Sequence, residues 1–391
     1  MDRSIRAKFR GDRHVLGPFL GNLPPEILDP VVRKLGWFQT TFAMAGRSCR
    51  EAVERVPSTR AELTDRERER LTSPATMPLS VAVVDRDVEA LEWLIQLFDG
   101  KGLEWRCNNG VKLSLLAAER GNIKSLTCLR ANGCPWNAET CSAAAKEGHL
   151  EVLQWARQNG CPWDKWTCTW AARNGNLEVL QWARQNGCPW NAWTCWGAAW
   201  EGHLEVLQWA HQNGCPWDED TCWAAAKEGN LEVLQWAHQN GCPWNEGTCS
   251  GAAEGGHLEV LQWARQNGCP WNKETCSSAA EGGHLEVFQW ARQNGCPWDE
   301  KTCFHAAWGG HLEVLQWAHQ NGCPWDEKTC RAAACTGHLE VLQWAHQNGC
   351  PWDACTWAYA VSRCRPYLIE HGCPGARCRA APRRRIARAR P

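Results

Sequence analysis

The residue types that bind metals or act as nucleophiles are plentiful here, with 25 Cys and 13 His in 391 residues. His149-Leu150-Glu151 followed by Cys161-Pro162 holds the parts of a zinc-activated water centre: metal ligands, and a Glu able to move a proton. The order is wrong for that chemistry, because the Cys precedes the Pro and no second Cys follows at a ligating distance. The pattern also returns along the chain, whereas a catalytic centre is built once. Paired cysteines such as Cys134 and Cys141 stand seven apart, outside the spacing of about two to four in a structural zinc knuckle. Buried thiols packing as small apolar groups are the better reading, with metal ligation the alternative. There is no Gly-rich phosphate loop, nucleophile elbow or pair of catalytic carboxylates. We therefore expect no enzyme, no cofactor and no metal.

The elements that position these residues follow from a strict period. Cys-Pro-Trp recurs at Cys134, Cys161, Cys188, Cys215, Cys242, Cys269, Cys296, Cys323 and Cys350, always 27 residues apart. With that Cys as zero, Thr stands at six, a second Cys at seven, Ala-Ala at ten and eleven, Gly at fourteen and His or Asn at fifteen. Leu-Glu-Val-Leu-Gln-Trp-Ala and Asn-Gly complete the unit. Asn137, Asp164, Asn191 and Asp218 are placed to cap a first helix. The acidic Glu219, Glu246, Glu300 and Glu327 suit its positive end, and Gly at fourteen closes it. A second helix carries the apolar stripe Leu150, Val152, Leu153 and Ala156. Neither helix buries its apolar face alone, so the pairs must stack. The fold class expected is all-α, a solenoid of about eleven antiparallel helix pairs over residues 79–375. Leu79–Phe98 and Leu113–Asn132 are worn first copies, and the last copy is cut short at Cys373.

Twenty-eight Trp are an extreme count, against two Tyr. Those in the second helix (Trp155, Trp182, Trp209) and in the loop (Trp163, Trp190, Trp217) hold fixed places and read as packing. The others fall where copies differ, at positions four, five, eight, nine, twelve and thirteen. Helical spacing gathers these into one ridge on the first helix. It carries Trp166, Trp170, Arg173, Trp193, Trp196, Trp200, Trp223 and Lys227, and farther on Phe304, His305 and Trp308. Exposed Trp is enriched at interface hot spots, so the ridge is the expected partner site, mainly over 165–227. The competing reading packs these rings between neighbouring helices.

The strings Thr-Cys-x-x-Ala-Ala, Gly-His-Leu-Glu-Val-Leu and Asn-Gly resemble the ankyrin repeat, whose stretches read Thr-Pro-Leu-His-x-Ala-Ala and Gly-His-x-x-Val-Val. The resemblance spans residues 79–373 and implies a protein-binding scaffold. It also implies that the His at fifteen satisfies backbone groups of the neighbouring copy; Asn176 and Asn230 could do the same. The period departs from the family's roughly 33 residues. The shortfall lies where ankyrins place a β-hairpin finger, so short loops are expected and the binding face shifts to the first helix.

Residues 22–56 break the period. Asn22-Leu23-Pro24-Pro25-Glu26-Ile27-Leu28 opens a helix with Pro at its start and Glu in its first turn. The segment resembles an F-box, matching at Leu23, Pro24, Glu26, Ile27 and Leu28; its ending, Arg47-Ser48-Cys49-Arg50, fits less closely. That resemblance implies docking on the Skp-type adaptor of a cullin–RING ubiquitin ligase, the array then receiving the target. A plain helical cap is the alternative, leaving a tethering or sequestering scaffold without a ubiquitin role. F-box and ankyrin-like arrays of near-identical copies resemble the expanded families of giant DNA viruses. Residues 1–21 read as a basic leading segment and 57–78 as a linker.

Lys and Arg total 42 against 43 Asp and Glu, so no global field points to nucleic acid or membrane. The 376–391 tail differs, with seven Arg and no acid over 377–390. It is either a solvated tail or a nuclear-import or nucleic-acid patch. No segment approaches the roughly 18 apolar residues of a membrane span, and no secretory h-region is seen near Met1. A monomer in the cytoplasm, of the host if the protein is viral, is expected, with the nucleus open through the tail.

Overall fold

The computed structural model describes residues 112–376, together with Val83, Val88, Leu91, Glu92 and Ile95. The leading segment 1–21, the F-box-like segment 22–56, the linker 57–78 and the arginine-rich tail from Arg377 onward lie outside the described residues. So does most of the first expected pair, whose five described positions are helical.

Among the described residues the chain forms twenty α-helices and no strand. They are α1 (Leu113–Glu119), α2 (Ile123–Ala131), α3 (Ala138–Lys146), α4 (Leu150–Gln158), α5 (Lys165–Arg173), α6 (Leu177–Gln185), α7 (Ala192–Trp200) and α8 (Leu204–Gln212). There follow α9 (Glu219–Lys227), α10 (Leu231–Gln239), α11 (Glu246–Gly255), α12 (Leu258–Gln266), α13 (Lys273–Gly282) and α14 (Leu285–Gln293). The series ends with α15 (Glu300–Gly309), α16 (Leu312–Gln320), α17 (Glu327–Thr336), α18 (Leu339–Gln347), α19 (Ala354–Tyr359) and α20 (Arg365–Glu370). Odd and even helices form sequential antiparallel pairs, the ankyrin-like solenoid expected. Two units divide them: one runs to Ala171 and adds Asn176–Trp190, the other takes Ala172–Gly175 and everything from Asn191. Both are built in the same way.

Local sequence explains each pair. Good helix formers fill the second helices, and the Gly at fourteen stops the first one. Gly148 has φ +77°, and a Cβ there would stand 2.8 Å from Asn176 Oδ1. Any other residue would meet backbone strain and a clash together. Inside, the Ala-Ala pairs, both cysteines and the Val-Leu-Ala stripe are buried. Leu153, Leu180, Leu207, Leu234 and Leu261 are wholly enclosed, each worth roughly 2 kcal/mol of burial.

Junctions between copies are made by polar atoms at fixed offsets. The carbonyl of Asn137 accepts the Thr140 N–H at 3.0 Å and the Cys161 thiol at 3.4 Å. The same thiol tie joins Cys188 to Asp164, Cys242 to Asp218 and Cys350 to Asp326. The residue at fifteen reaches back to the end of the preceding first helix: His149 Nε2 lies 3.0 Å from the Glu119 carbonyl. Asn176 Nδ2 donates to the carbonyls of Ala145 and Lys146 at 2.9 and 2.8 Å. Asn230 repeats the pattern on Ala199 and Trp200. These carbonyls close no intrahelical bond, which explains why either His or Asn serves.

The expected side-chain caps need correction. Asp164 Oδ1 accepts the Trp166 N–H at 3.0 Å, and Asn245, Asn272, Asp299, Asp326 and Asp353 cap in their turn. Asn137, Asn191 and Asp218 accept no such bond; Asn137 instead turns its amide to Glu139, at 3.1 Å.

Candidate functional site

Two aromatic systems emerge, one internal and one facing out. In the internal one, the loop Trp of seven copies meets the second-helix Trp of its own copy edge to face, and Trp352 of the last copy meets Tyr367 instead. Trp136–Trp155, Trp163–Trp182 and Trp244–Trp263 have centroids 5.8 to 5.9 Å apart. The residue near the end of the preceding second helix then lies flat on the loop ring. Where it is Arg (130, 157, 184, 265, 292) the guanidinium sits 3.8 to 4.2 Å from the centroid. Where it is His (211, 238, 319, 346) the imidazole stacks at 3.6 to 3.8 Å. Arg130 also donates to the Cys134 carbonyl at 2.8 Å. This clamp was missed in the sequence, although the Arg/His alternation at one position marks a site that demands a flat cationic or aromatic group. The fixed Trp residues are packing elements.

The outward system lies on the first helices. In the second unit, α7 presents Trp193, Trp196 and Trp200, with centroids 5.1 and 5.0 Å apart along the helix. Trp200 then meets Trp223 of α9 at 5.6 Å, so four rings run in one continuous strip. Trp193 is 43% exposed and the other three are half-buried. Trp223 is held from below by small residues: a Cβ on Gly251 of α11 would come within 3.0 Å of its Cδ1. Arg173 lies 5.8 Å from the Trp196 centroid and pairs with Glu201 at 3.1 Å. Lys227 pairs with Glu254. In the first unit, Trp166 is 41% exposed beneath the Lys165 ammonium, at 5.6 Å, and Trp170 is half-buried.

Farther along the second unit Phe304 and Trp308 stack at 5.9 Å on α15, with Trp308 43% exposed. His305 meets the Phe304 edge and bonds Glu281 at 2.8 Å.

The outer ridge runs through positions five, eight and twelve. The ninth, grouped with it in the sequence, faces a neighbouring helix: Ala143, Gly197, Ala224, Gly251 and Ala332 are buried there. Trp170 and His305 occupy that partly covered place. The first turn of α9 adds Glu219 and Asp220, both exposed. Beside them burial, then Asp220 and Glu219, raise the Asp218 carboxyl above its ordinary value. Leu23, Pro24, Glu26, Ile27 and Leu28 lie outside the described residues.

The described thiols are free, and only Cys335 and Cys355 among them are part-exposed. Burial pushes Cys128 and Cys134 up to about 11. No described helix is long and apolar enough to cross a membrane.

Comparison with known proteins bears on the same residues. The family model for ankyrin repeats in many copies matches residues 141–184, 168–211 and 276–319. Among solved structures, the human ASB11 ankyrin repeat domain is similar at 18% identity and TM-score 0.36. That likeness covers 42% of this chain and 84% of the other. No curated protein matches the chain. Within this chain, then, the stretches that match ankyrin repeats are residues 141–211 and 276–319.

Proposed function

We propose that this protein recruits targets to a cullin–RING ubiquitin ligase, the segment 22–56 engaging a Skp-type adaptor and the repeats holding the target. The observation that carries the reading is Leu23-Pro24-Pro25-Glu26-Ile27-Leu28 standing ahead of an interaction array. In the docked state Leu23, Ile27 and Leu28 enter the adaptor interface, with Pro24 setting the helix start and Glu26 in its first turn. The target lies on the first-helix ridge: Trp166 and Trp170 in one unit, and Arg173, Trp193, Trp196, Trp200, Trp223 and Lys227 in the other, with Phe304 and Trp308 as a secondary contact. The setting is cytoplasmic, with the nucleus open through the Arg-rich tail.

The test is co-purification of the full chain with a Skp-type adaptor. A Leu23→Ala, Ile27→Asp chain should lose the adaptor, because a buried unpaired carboxylate costs several kcal/mol, enough to abolish a micromolar contact. Equal capture by both chains would overturn the ligase reading and leave a scaffold that tethers or sequesters its partner.

A further inference from the structure

The core holds its thiols in contact, two by two. In eight successive copies the sulfur at position seven is hydrogen-bonded to the sulfur of the Cys that opens the next copy. Cys141 meets Cys161 in this way, Cys249 meets Cys269 and Cys276 meets Cys296, and all six are fully buried. The opening Cys donates in its turn to the carbonyl at position three: Cys161 to Asn137 at 3.4 Å, Cys269 to Asn245 at 3.4 Å and Cys296 to Asn272 at 3.3 Å. Each pair is thus a short relay, thiol to thiol to carbonyl. The sulfur at seven also reaches its partner's backbone, Cys276 Sγ lying 3.9 Å from the Cys296 carbonyl.

Two neighbours sort these pairs. An Arg four residues before the opening Cys donates to that residue's carbonyl, Arg157 to Cys161 at 2.5 Å, and likewise Arg265 to Cys269 and Arg292 to Cys296. A permanent cation therefore stands beside the sulfurs, while position three of the same copies is a neutral Asn. Hydrogen bonding from the paired Cys, with the guanidinium adding to it, holds Cys161, Cys269 and Cys296 below the ordinary thiol value against the burial that opposes it. Elsewhere one or both conditions fail. Cys188 has Arg184 but also Asp164, and Cys242 has His238 and Asp218. Those two thiols are raised by the bond to Cys168 or Cys222, by burial and by the Asp carboxylate.

A thiolate attacks an oxidant where a thiol does not, and an adjacent cation favours it. A second thiol already in contact then converts the oxidised sulfur to a disulfide. Enclosure shuts out bulky reagents such as glutathione disulfide, so the oxidant that fits is small and uncharged.

We propose that Cys141–Cys161, Cys249–Cys269 and Cys276–Cys296 are oxidation sites, at which hydrogen peroxide converts a buried thiol pair to a disulfide. The opening Cys attacks one peroxide oxygen as its thiolate. The O–O bond breaks, and the departing hydroxide takes up the proton that the thiol released, leaving a sulfenic acid and water. The sulfur at seven then attacks the sulfenic sulfur; the S–O bond breaks, and its proton leaves with the hydroxide as a second water. The two thiols lose two electrons in all, and one peroxide gains them. The bridge closes a loop around the second helix (α4, α12 or α14) and ties a first helix to the start of the next copy. It depends on neither the adaptor nor the target.

The test exposes the full folded chain to hydrogen peroxide, blocks the remaining thiols and maps non-reduced peptides by mass spectrometry. The three named cross-links should form about tenfold or more faster than Cys222–Cys242, and dithiothreitol should reverse them. Arg157→His is the most informative variant, because His holds the equivalent place at 211 and 238 and stacks there on its loop Trp. It should slow Cys141–Cys161 about tenfold and leave Cys249–Cys269 unchanged. Asn137→Asp should act in the same direction, and His238→Arg with Asp218→Asn should speed Cys222–Cys242. Circular dichroism melts check that the variants keep the fold. Equal rates in all pairs of the wild type, an Arg157→His chain as fast as wild type, or sulfinic acid at Cys161 with Cys141 still free would each overturn the proposal.

Discussion

Asn176→Ala removes a junction bond with almost no change in apolar packing. In the native chain the Asn176 amide spans two carbonyls at the end of α3, Ala145 and Lys146, at 2.9 and 2.8 Å. Each bond is worth about 1 kcal/mol net, and a half-covered carbonyl left without its donor adds a desolvation cost of about 1 kcal/mol. The expected loss is therefore about 2–3 kcal/mol. Asn176→His should cost about half as much, because the equivalent His149 ring reaches one carbonyl where the amide reaches two. Urea titration should show the midpoint fall in the order wild type, His, Ala. With a slope of about 2–3 kcal/mol/M the Ala step is about 1 M. Arrays of repeats need not unfold in one step, so hydrogen exchange across residues 138–160 provides the local readout. Faster exchange there, with exchange beyond residue 300 unchanged, is the expected pattern. An Ala variant within about 0.5 kcal/mol of wild type, or a His variant as unstable as Ala, would refute the assignment of the fifteenth residue to carbonyl satisfaction.

Phe288 replaces the usual Leu and is fully buried between Trp298 and Trp317, at 6.0 and 5.3 Å. Phe288→Ala should cost about 3–5 kcal/mol, and Phe288→Leu only about 1 kcal/mol, mainly the aromatic contacts, both read by thermal melting. Burial and then the neighbouring His371 hold the His346 imidazole below its ordinary value, and its Nδ1 lies 3.0 Å from the Tyr367 hydroxyl. The folded state thus favours the neutral ring: this contribution to stability is present above the unfolded pKa of about 6.5 and is lost as pH falls through the folded value. His346→Gln should flatten the acid side of the melting-temperature profile, and an unchanged profile would remove His346 from the account. Cys335 and Cys355 should be alkylated first among the described thiols. Cys128 and Cys134, held up to about 11, should react on the order of 100-fold more slowly, as peptide mapping after timed iodoacetamide would show.

The fold was legible because its signals are local and repeated. Gly at fourteen, Asn-Gly at the close and the apolar stripe of the second helix each act within one copy, and all of them hold in the structure. The side-chain caps were read less well. Asn137, Asn191 and Asp218 are good cap residues by type, but a cap depends on side-chain rotation, which residue identity does not determine. The ridge was partly legible. Variable positions were identified, but whether position nine faces solvent or a neighbour depends on the angle at which first helices stack, and sequence spacing within one helix does not contain that angle. The clamp of Arg or His on the loop Trp was hidden for a different reason: its two members belong to the end of one copy and the start of the next.

The carbonyl that accepts both a Thr N–H and the following Cys thiol has a consequence for inheritance. From Cys161 to Cys350 each thiol junction bond is drawn at the same offset, 24 residues from Asn191 to Cys215 and again from Asp299 to Cys323, and only the shortened last copy departs from it, with 20 from Asp353 to Cys373. Excising or inserting one whole 27-residue block inside such a run would join chemically identical ends, and donor and acceptor would meet again in register. Slips of any other length would strand a thiol, a carbonyl and an amide at once. Recombination between copies of the coding sequence is therefore filtered by hydrogen-bond register, with whole-copy gains and losses tolerated and partial ones removed. The length of the binding face can then change by single steps while each remaining joint stays as it was.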